Sequence, residues 1–233
     1  MSKMNSESFP ALALRILPAL LSGAWVTVSI TILSMAFGTA IGFLVALGRM
    51  SNSTPTRVIL AAYIEIARNI PVVVQLLFIY FTLPQFGLSF TPFQAGVLGL
   101  SLNLGAYLSE VFRSTITSIN RGQLEAGLSI GMQPVTVYRR IILPQAFRLA
   151  LPILGGYFIS TLKDSSLVSF ISVNDLLRQG TIEIASSFRT MEVYALVSMI
   201  YFALSFAASR LVADLERRMT PRHLRKRKNQ SND

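Results

Sequence analysis

Residues Gln123 to Pro144 read QLEAGLSIGMQPVTVYRRIILP, and the rest of the chain is organised around them. Long apolar runs precede this stretch and two more apolar segments follow it. A plain surface linker in such a chain would be polar and unpatterned, whereas this one has the pattern of two short helices meeting at an elbow. Asn120 suits the first cap, with Gln123 three residues on to reach back in a capping box. Leu124 and Leu128 then share a face at i,i+4 spacing. Gly131 suits a left-handed C′ position, and Pro134 the first turn of the second helix, where its missing N–H is not needed. Val135, Tyr138 and Ile142 form the second helix's expected apolar stripe, and Pro144 is expected to end or redirect it.

Hydrophobic residues make up 52% of the 233-residue chain and charged ones only 14%. The uncharged runs Ile16 to Gly48 and Asn69 to Ser109 exceed the ~20 residues that a membrane helix needs. The fold class is therefore all-α, a polytopic membrane bundle of about five spans. Expected spans are residues 21–47, 58–83, 93–112, 145–162 and 193–212, in a single domain covering 1–233. The elbow occupies 120–144 and a basic tail 213–233. Residues 1–18 are mixed and polar, with Pro10 and Pro18 interrupting any long helix; they are expected to lie along the membrane surface. Gly38 and Gly42 form a small-xxx-small step suited to close helix approach. Pro152 is a candidate kink, and 167–187 is expected to be a mixed, partly helical loop.

The net charge of +10 is concentrated by position. Arg217, Arg218, Arg222, Arg225, Lys226, Arg227 and Lys228 follow the last apolar segment, as the positive-inside rule expects of a cytoplasmic tail beside anionic lipid. No aromatic platform interleaves them, which argues against nucleic acid as a partner. The connections after spans one and three are basic and the connection after span two is not, so the N-terminus is expected outside and the elbow and C-terminus in the cytoplasm. The N-terminus lacks the features of a cleaved signal, and the first apolar segment is expected to be retained.

Catalytic chemistry has little to draw on. The chain has no cysteine, its one histidine is His223 in the basic tail, and no metal-ligand cluster is visible. No G-x-x-x-x-G-K-[ST] occurs, so nucleotide phosphates cannot be held in the P-loop manner, and if ATP drives any process here, a separate chain must bind it with its magnesium. Ionisable groups within spans are the functional candidates, because charge in lipid is expensive. Glu65 and Arg68 lie i,i+3 and could pair, either as an anchor or in transport. Asn103, Tyr107 and Glu110 form a stripe facing a polar cavity or a neighbouring helix. Lys163, Asp164 and Ser165 close span four, where Lys could meet a carboxylate and Asp an ammonium; the plainer alternative is a snorkelling lysine paired with its neighbour.

Glu125-Ala126-Gly127, three residues, Gly131, nine residues and Ile141-Ile142-Leu143-Pro144 resemble the EAA loop of bacterial ABC importer permeases. Gly127 stands where that family often has alanine, a change expected to weaken the helix by roughly 1 kcal/mol without altering its face. The stretch Tyr63 to Gln75 resembles the YxExxRxxPxxxQ segment of the polar-amino-acid permeases. Gly105-Ala106-Tyr107 with Glu110 and Arg113, and Lys163-Asp164-Ser165-Ser166-Leu167, resemble that family's GAYxxExxR and KDTSL elements. The resemblance implies a type I importer fold in the bacterial cytoplasmic membrane, with ABC ATPase subunits below and a second permease subunit alongside. It also implies a periplasmic or lipid-anchored substrate-binding protein. Glu125, Ala126, Gly127, Gly131, Ile141, Leu143 and Pro144 would be the ATPase-coupling residues. Arg68, Gln75, Asn103, Tyr107, Glu110, Lys163, Asp164 and Ser165 would line the substrate path. The rival reading is an autonomous ion-coupled carrier, against which the chain shows no internal repeat.

Overall fold

The computed structural model describes residues 8–219. His223 and the basic residues from Arg222 to Lys228 lie outside the described residues, as do residues 1–7. Helix α1 (Phe9–Arg49) is a single helix of 41 residues, about 60 Å long by its rise per residue. The segment expected to lie along the membrane surface is thus, from Phe9 onward, the first part of this helix. Pro10 falls in its first turn and Pro18 in its interior, where proline ordinarily weakens a helix by ~3 kcal/mol. Tertiary packing outweighs that loss: Leu12, Ile16, Leu20 and Ala24, spaced i,i+4, are buried against Leu176, Val193 and Val197.

The expected second span is not one helix. Helix α2 (Thr54–Asn69) and helix α3 (Val72–Leu77), with the turns that extend α3 to Phe86, meet at 108°. Pro71 is the cause. It disfavours helical geometry at the residue before it, and Ile70 is extended at φ −97°, ψ 130°. After α3 come a π-helical turn, Phe78–Thr82, and a 3₁₀ turn, Leu83–Phe86. Helix α4 (Pro92–Thr117) opens with Thr91 and Gln94 in a reciprocal capping box.

The elbow comprises α5 (Arg121–Ser129) and α6 (Pro134–Val137). From Pro134 the helix runs on through a π-helical turn, Tyr138–Ile142, into α7 (Leu143–Asp164). Pro144 therefore does not end the second elbow helix. The π turn ahead of it, closed by Leu143 N–H donating to Tyr138 O, spaces the preceding carbonyls so that the proline ring is accommodated. A 3₁₀ turn (Ser165–Ile171), helix α8 (Leu176–Ser187) and helix α9 (Thr190–Met219) complete the described chain. Asp175 caps α8 by accepting from Leu177 and Arg178 N–H at 3.2 and 3.1 Å. Among the described residues there is no strand. Among the described residues four helices are long and apolar enough to cross a membrane, and the bent α2–α3 pair meets the same length and composition when its two arms are taken together. Apolar side chains such as Trp25, Phe37, Leu44 and Phe202 face outward, as a lipid-facing belt requires.

Helices α1 and α4 pack backbone to backbone. A Cβ added at Gly42 would lie 2.8 Å from Leu108 Cβ and 3.0 Å from Gly105 O and Ser109 N; one added at Gly105 would lie 2.7 Å from Ile41 Cγ2. The small-xxx-small step of α1 thus receives α4. Gly42→Leu is expected to destabilise the protein by at least ~1–3 kcal/mol, because the opposing atoms include backbone that cannot rotate away. Gly156, whose added Cβ meets nothing within 4 Å, supplies the control. Thermal unfolding in detergent is expected to fall for Gly42→Leu and to hold or rise for Gly156→Ala.

Candidate transport cavity and coupling elbow

The break between α2 and α3 leaves backbone carbonyls without helical partners at the level of mid-α4. Membrane interiors tolerate such groups only where protein or a cavity satisfies them. Gln75 does so here, its Nε2 donating to Ala67 O at 2.8 Å and Ile70 O at 2.7 Å. Asn103 Nδ2, reaching across from α4, donates to Ala67 O at 2.8 Å. Tyr63 O–H donates to Leu102 O at 2.6 Å, tying α2 to α4 just before the break. Asn69 folds back on Glu65, its Nδ2 lying 2.7 Å from the backbone oxygen and 3.1 Å from Oε2.

Arg68 is not paired with Glu65 among the described residues. Its guanidinium stacks over the Tyr107 ring, 5.2 Å from the centroid, an attraction of roughly 0.5–2 kcal/mol depending on desolvation. Arg68, Asn69, Asn103, Tyr107, Ser160 and Asp164 line a cavity of about 500 Å³. A cation from α2 and an anion from α7 thus face one space beside a helix break, which an amide and an aromatic ring also line. Such a cavity suits a small solute carrying both charges.

The other expected path residues lie elsewhere. Lys163, adjacent to Asp164 in sequence, lines a different cavity of about 660 Å³ with Tyr194, Ser198, Tyr201 and Ser205. Consecutive helical residues point about 100° apart, so Lys163 and Asp164 face two different cavities. Ser165 is fully buried and its hydroxyl donates to Leu162 O at 2.8 Å. Glu110 accepts from Arg49 Nη1 at 2.8 Å and from Arg113 Nη2 at 2.8 Å, clamping the end of α1 to α4. Gln75 serves the backbone.

The elbow is built from its glycines. Gly131 adopts φ +83°. Its N–H donates to Leu128 O at 3.0 Å, and Met132 N–H donates to Gly127 O at 3.1 Å, the paired bonds of a Schellman cap. Asn120 accepts from Gly122 N–H at 2.8 Å, which is the cap on its own side-chain oxygen; the reciprocal Gln123 half of the expected box is absent among the described hydrogen bonds. Gly127 has a packing role. It is buried, and an alanine there would bring its methyl 2.7 Å from Val137 Cγ2, so the glycine lets α5 lie on α6.

The apolar stripe of the second helix is also displaced. Val137 and Ile142 are buried with Ile116 and Ala146, while Val135 is 76% exposed. The π turn makes five residues, not four, the step between like-facing positions. Val135, Ile130 and Leu128 instead form an uncovered apolar surface on the elbow. Glu125 is exposed beside it and borders a cleft of about 420 Å³ with Asn120, Arg121 and Tyr138. Ala126 and Pro144 are exposed, and Ile141 and Leu143 half-buried.

One buried cluster went unread in the sequence. Asp175, fully buried, accepts from Tyr201 O–H at 3.3 Å, and Leu176 N–H donates to Thr27 Oγ1 at 3.2 Å. These bonds join α1, α8 and α9. The available signal was Asp175 at a capping position ahead of an apolar-periodic segment.

Residues 38–221 match the family described as binding-protein-dependent transport system inner membrane component. The chain belongs to this family. The permease is 39% identical to the L-cystine transport system permease protein TcyB of Bacillus subtilis, over 87% of each chain. It is 38% identical to the glutamine transport system permease protein GlnP of Escherichia coli, over 87% of this chain and 94% of that one. A crystal structure of an amino acid ABC transporter with histidines matches with a TM-score of 0.82 at 38% identity, covering 88% of the permease and 96% of that chain. The methionine ABC transporter MetNI in an inward-facing conformation shares the fold, with a TM-score of 0.69 at 22% identity. This chain is accordingly a multi-pass transmembrane permease subunit of an ABC importer, a transport component in which the elbow and the broken helix are built-in parts.

Proposed function

We propose that the permease carries polar amino acids or amino-acid-like solutes inward, driven by ATP bound with magnesium on a separate ATPase subunit. The observation that carries this reading is the cavity at the α2–α3 break, where Arg68 can meet a carboxylate and Asp164 an ammonium, with Asn103 and Tyr107 also in its lining. The names of the two curated relatives, a cystine and a glutamine permease, point to the same class of solute. Glu125, Ala126, Gly127, Gly131, Ile141, Leu143 and Pro144 hold the elbow whose exposed apolar surface docks on the ATPase. The N-terminus lies outside, and the elbow and the end of α9 face the cytoplasm. Two permease subunits, identical or paralogous, close the path, since Glu65, Arg68 and Asn69 are exposed on α2 at membrane depth and charge facing lipid is costly. A substrate-binding protein delivers the solute from outside.

Reconstitution tests the reading directly. Proteoliposomes holding the permease with its co-purified ATPase are expected to take up a labelled amino acid with binding protein outside and ATP inside. Uptake by the permease alone, driven by an ion gradient, would decide for the autonomous carrier instead.

A further inference from the structure

Asp164 ends a stripe on α7. Tyr157, Ser160 and Thr161 precede it at helical spacing, which places all four on one face, and all four line the cavity at the α2–α3 break. The Tyr157 ring lies 6.1 Å from that of Tyr107, on which Arg68 stacks. Thr161 thus stands one helical turn from the acid and one from the aromatic wall.

Its hydroxyl is the anomaly. A buried serine or threonine in a helix can return its proton to a carbonyl three or four residues back. Thr31, Ser101, Ser109, Thr115 and Ser165 all do so here. Thr161 is only 5% exposed, yet its hydroxyl makes no hydrogen bond among the described residues. Ser34 shares that lack but does not line this cavity. Burying a hydroxyl costs free energy unless a partner is supplied. Thr161 borders the cavity, so its partner can come from what enters there.

The charges of the cavity leave nothing over for a third. Arg68 and Asp164 are the only charged side chains among the described residues that line it, and the carboxylate and ammonium of an α-amino acid occupy both. The remaining polar lining, Asn69, Asn103, Tyr107, Tyr157, Ser160 and Thr161, is neutral. Glu65 lies outside the lining, its Oε2 held by Asn69 Nδ2 at 3.1 Å, and Lys163 faces the other cavity. A charged solute side chain would enter with no opposing charge to meet it, which is costly away from water.

We propose that Thr161 is a specificity-determining residue of the permease. Its hydroxyl hydrogen-bonds the side chain of the solute and, with the neutral lining around it, selects amino acids whose side chains are polar and uncharged. The inference rests on the reading of this cavity as the amino-acid site. A hydroxyl both donates and accepts, so it suits a carboxamide or a second hydroxyl.

The test is solute binding to the purified permease–ATPase complex without binding protein, so that selection by that partner does not enter. Radiolabelled glutamine is the probe, with norleucine, glutamate and lysine as competitors. Glutamine is expected to bind at least about tenfold more tightly than glutamate or lysine. Thr161→Val replaces the hydroxyl by a methyl group of similar size. It is expected to weaken glutamine binding roughly 2- to 10-fold and to leave norleucine, of similar length but apolar, unchanged or tighter. Thr161→Ser should keep the preference. The unfolding temperature of the solute-free complex is expected to hold or rise in Thr161→Val, because the hydroxyl removed has no partner there. An unchanged ratio between glutamine and norleucine, or a fall in that temperature, would mark Thr161 as structural and overturn the proposal. Glutamate or lysine competing as well as glutamine would overturn it too. Asp164→Asn checks the underlying reading, since it is expected to weaken every amino acid alike. If it leaves glutamine binding unchanged, or if no amino acid binds the unsubstituted complex, the cavity reading fails and the selector with it.

Discussion

Gly131→Val is expected to cut coupled transport roughly 5- to 30-fold while leaving the protein inserted in the membrane. The glycine sits at φ +83°, and nothing lies within 4 Å of an added Cβ, so no clash is involved. The penalty is entirely in the backbone. A β-branched residue held in the left-handed region loses about 1–2 kcal/mol, and escaping it breaks the two capping bonds from Gly131 and Met132, each contributing about 1 kcal/mol. Helix α5 has nine residues, far fewer than the ~12–15 at which an isolated helix becomes even marginal. It therefore depends on that cap and on the Gly127–Val137 contact. The protein takes the cheaper of the two alternatives, and a loss of ~1–2 kcal/mol corresponds to a roughly 5- to 30-fold fall in the ordered elbow, using tenfold per 1.4 kcal/mol. Substrate-stimulated ATP hydrolysis and recovery of ATPase on a tagged permease are both expected to fall by that order. Gly131→Asn separates this account from a side-chain effect, because asparagine tolerates the left-handed region. It should retain most of the coupling. Full coupling in Gly131→Val, or equal loss in Gly131→Asn, would show that the cap is not what the ATPase requires.

The features legible in the sequence were those fixed by local backbone chemistry. Gly131 could be assigned positive φ because few residues end a helix that way, and Pro134 could be placed in a first turn for a similar reason. Gly38 and Gly42 announced a close helix approach, though not that α4 was the partner. What escaped was phase and tertiary compensation. Pro144 looked like a terminator because a π turn leaves no mark in composition. The same turn moved the buried position from Val135 to Val137. Pro18 looked like a break because its cost is local, whereas the compensation, Leu12 to Ala24 against α8 and α9, is distant in sequence. The true break lay at Pro71. Its signal was present in Asn69 and Gln75, polar groups with no purpose in a smooth span, and these side chains turn out to neighbour or satisfy the freed carbonyls. Lys163 and Asp164, adjacent in sequence, line two different cavities, because the helix turns their side chains apart.

That last distinction yields the second large effect. Asp164 and Arg68 share the cavity at the break, and Lys163 does not. Asp164→Asn keeps shape and hydrogen-bonding capacity but removes the only acidic side chain among the described residues that line that cavity. A charge-assisted bond to a substrate ammonium contributes ~1.5–3 kcal/mol, so uptake at subsaturating solute is expected to fall roughly 10- to 150-fold. Binding-protein-stimulated ATP hydrolysis should survive, because the elbow is untouched. Arg68→Lys is the more informative partner. It retains the charge but not the planar group stacked on Tyr107, and arginine and lysine are not interchangeable at stacked sites. An intermediate loss is expected there, and Lys163→Met should change uptake least of the three. Labelled-solute uptake at matched expression gives the order. If Lys163→Met proves as damaging as Asp164→Asn, the solute is read by the pair that the helix holds apart, and it must move between the two cavities as the transporter turns over.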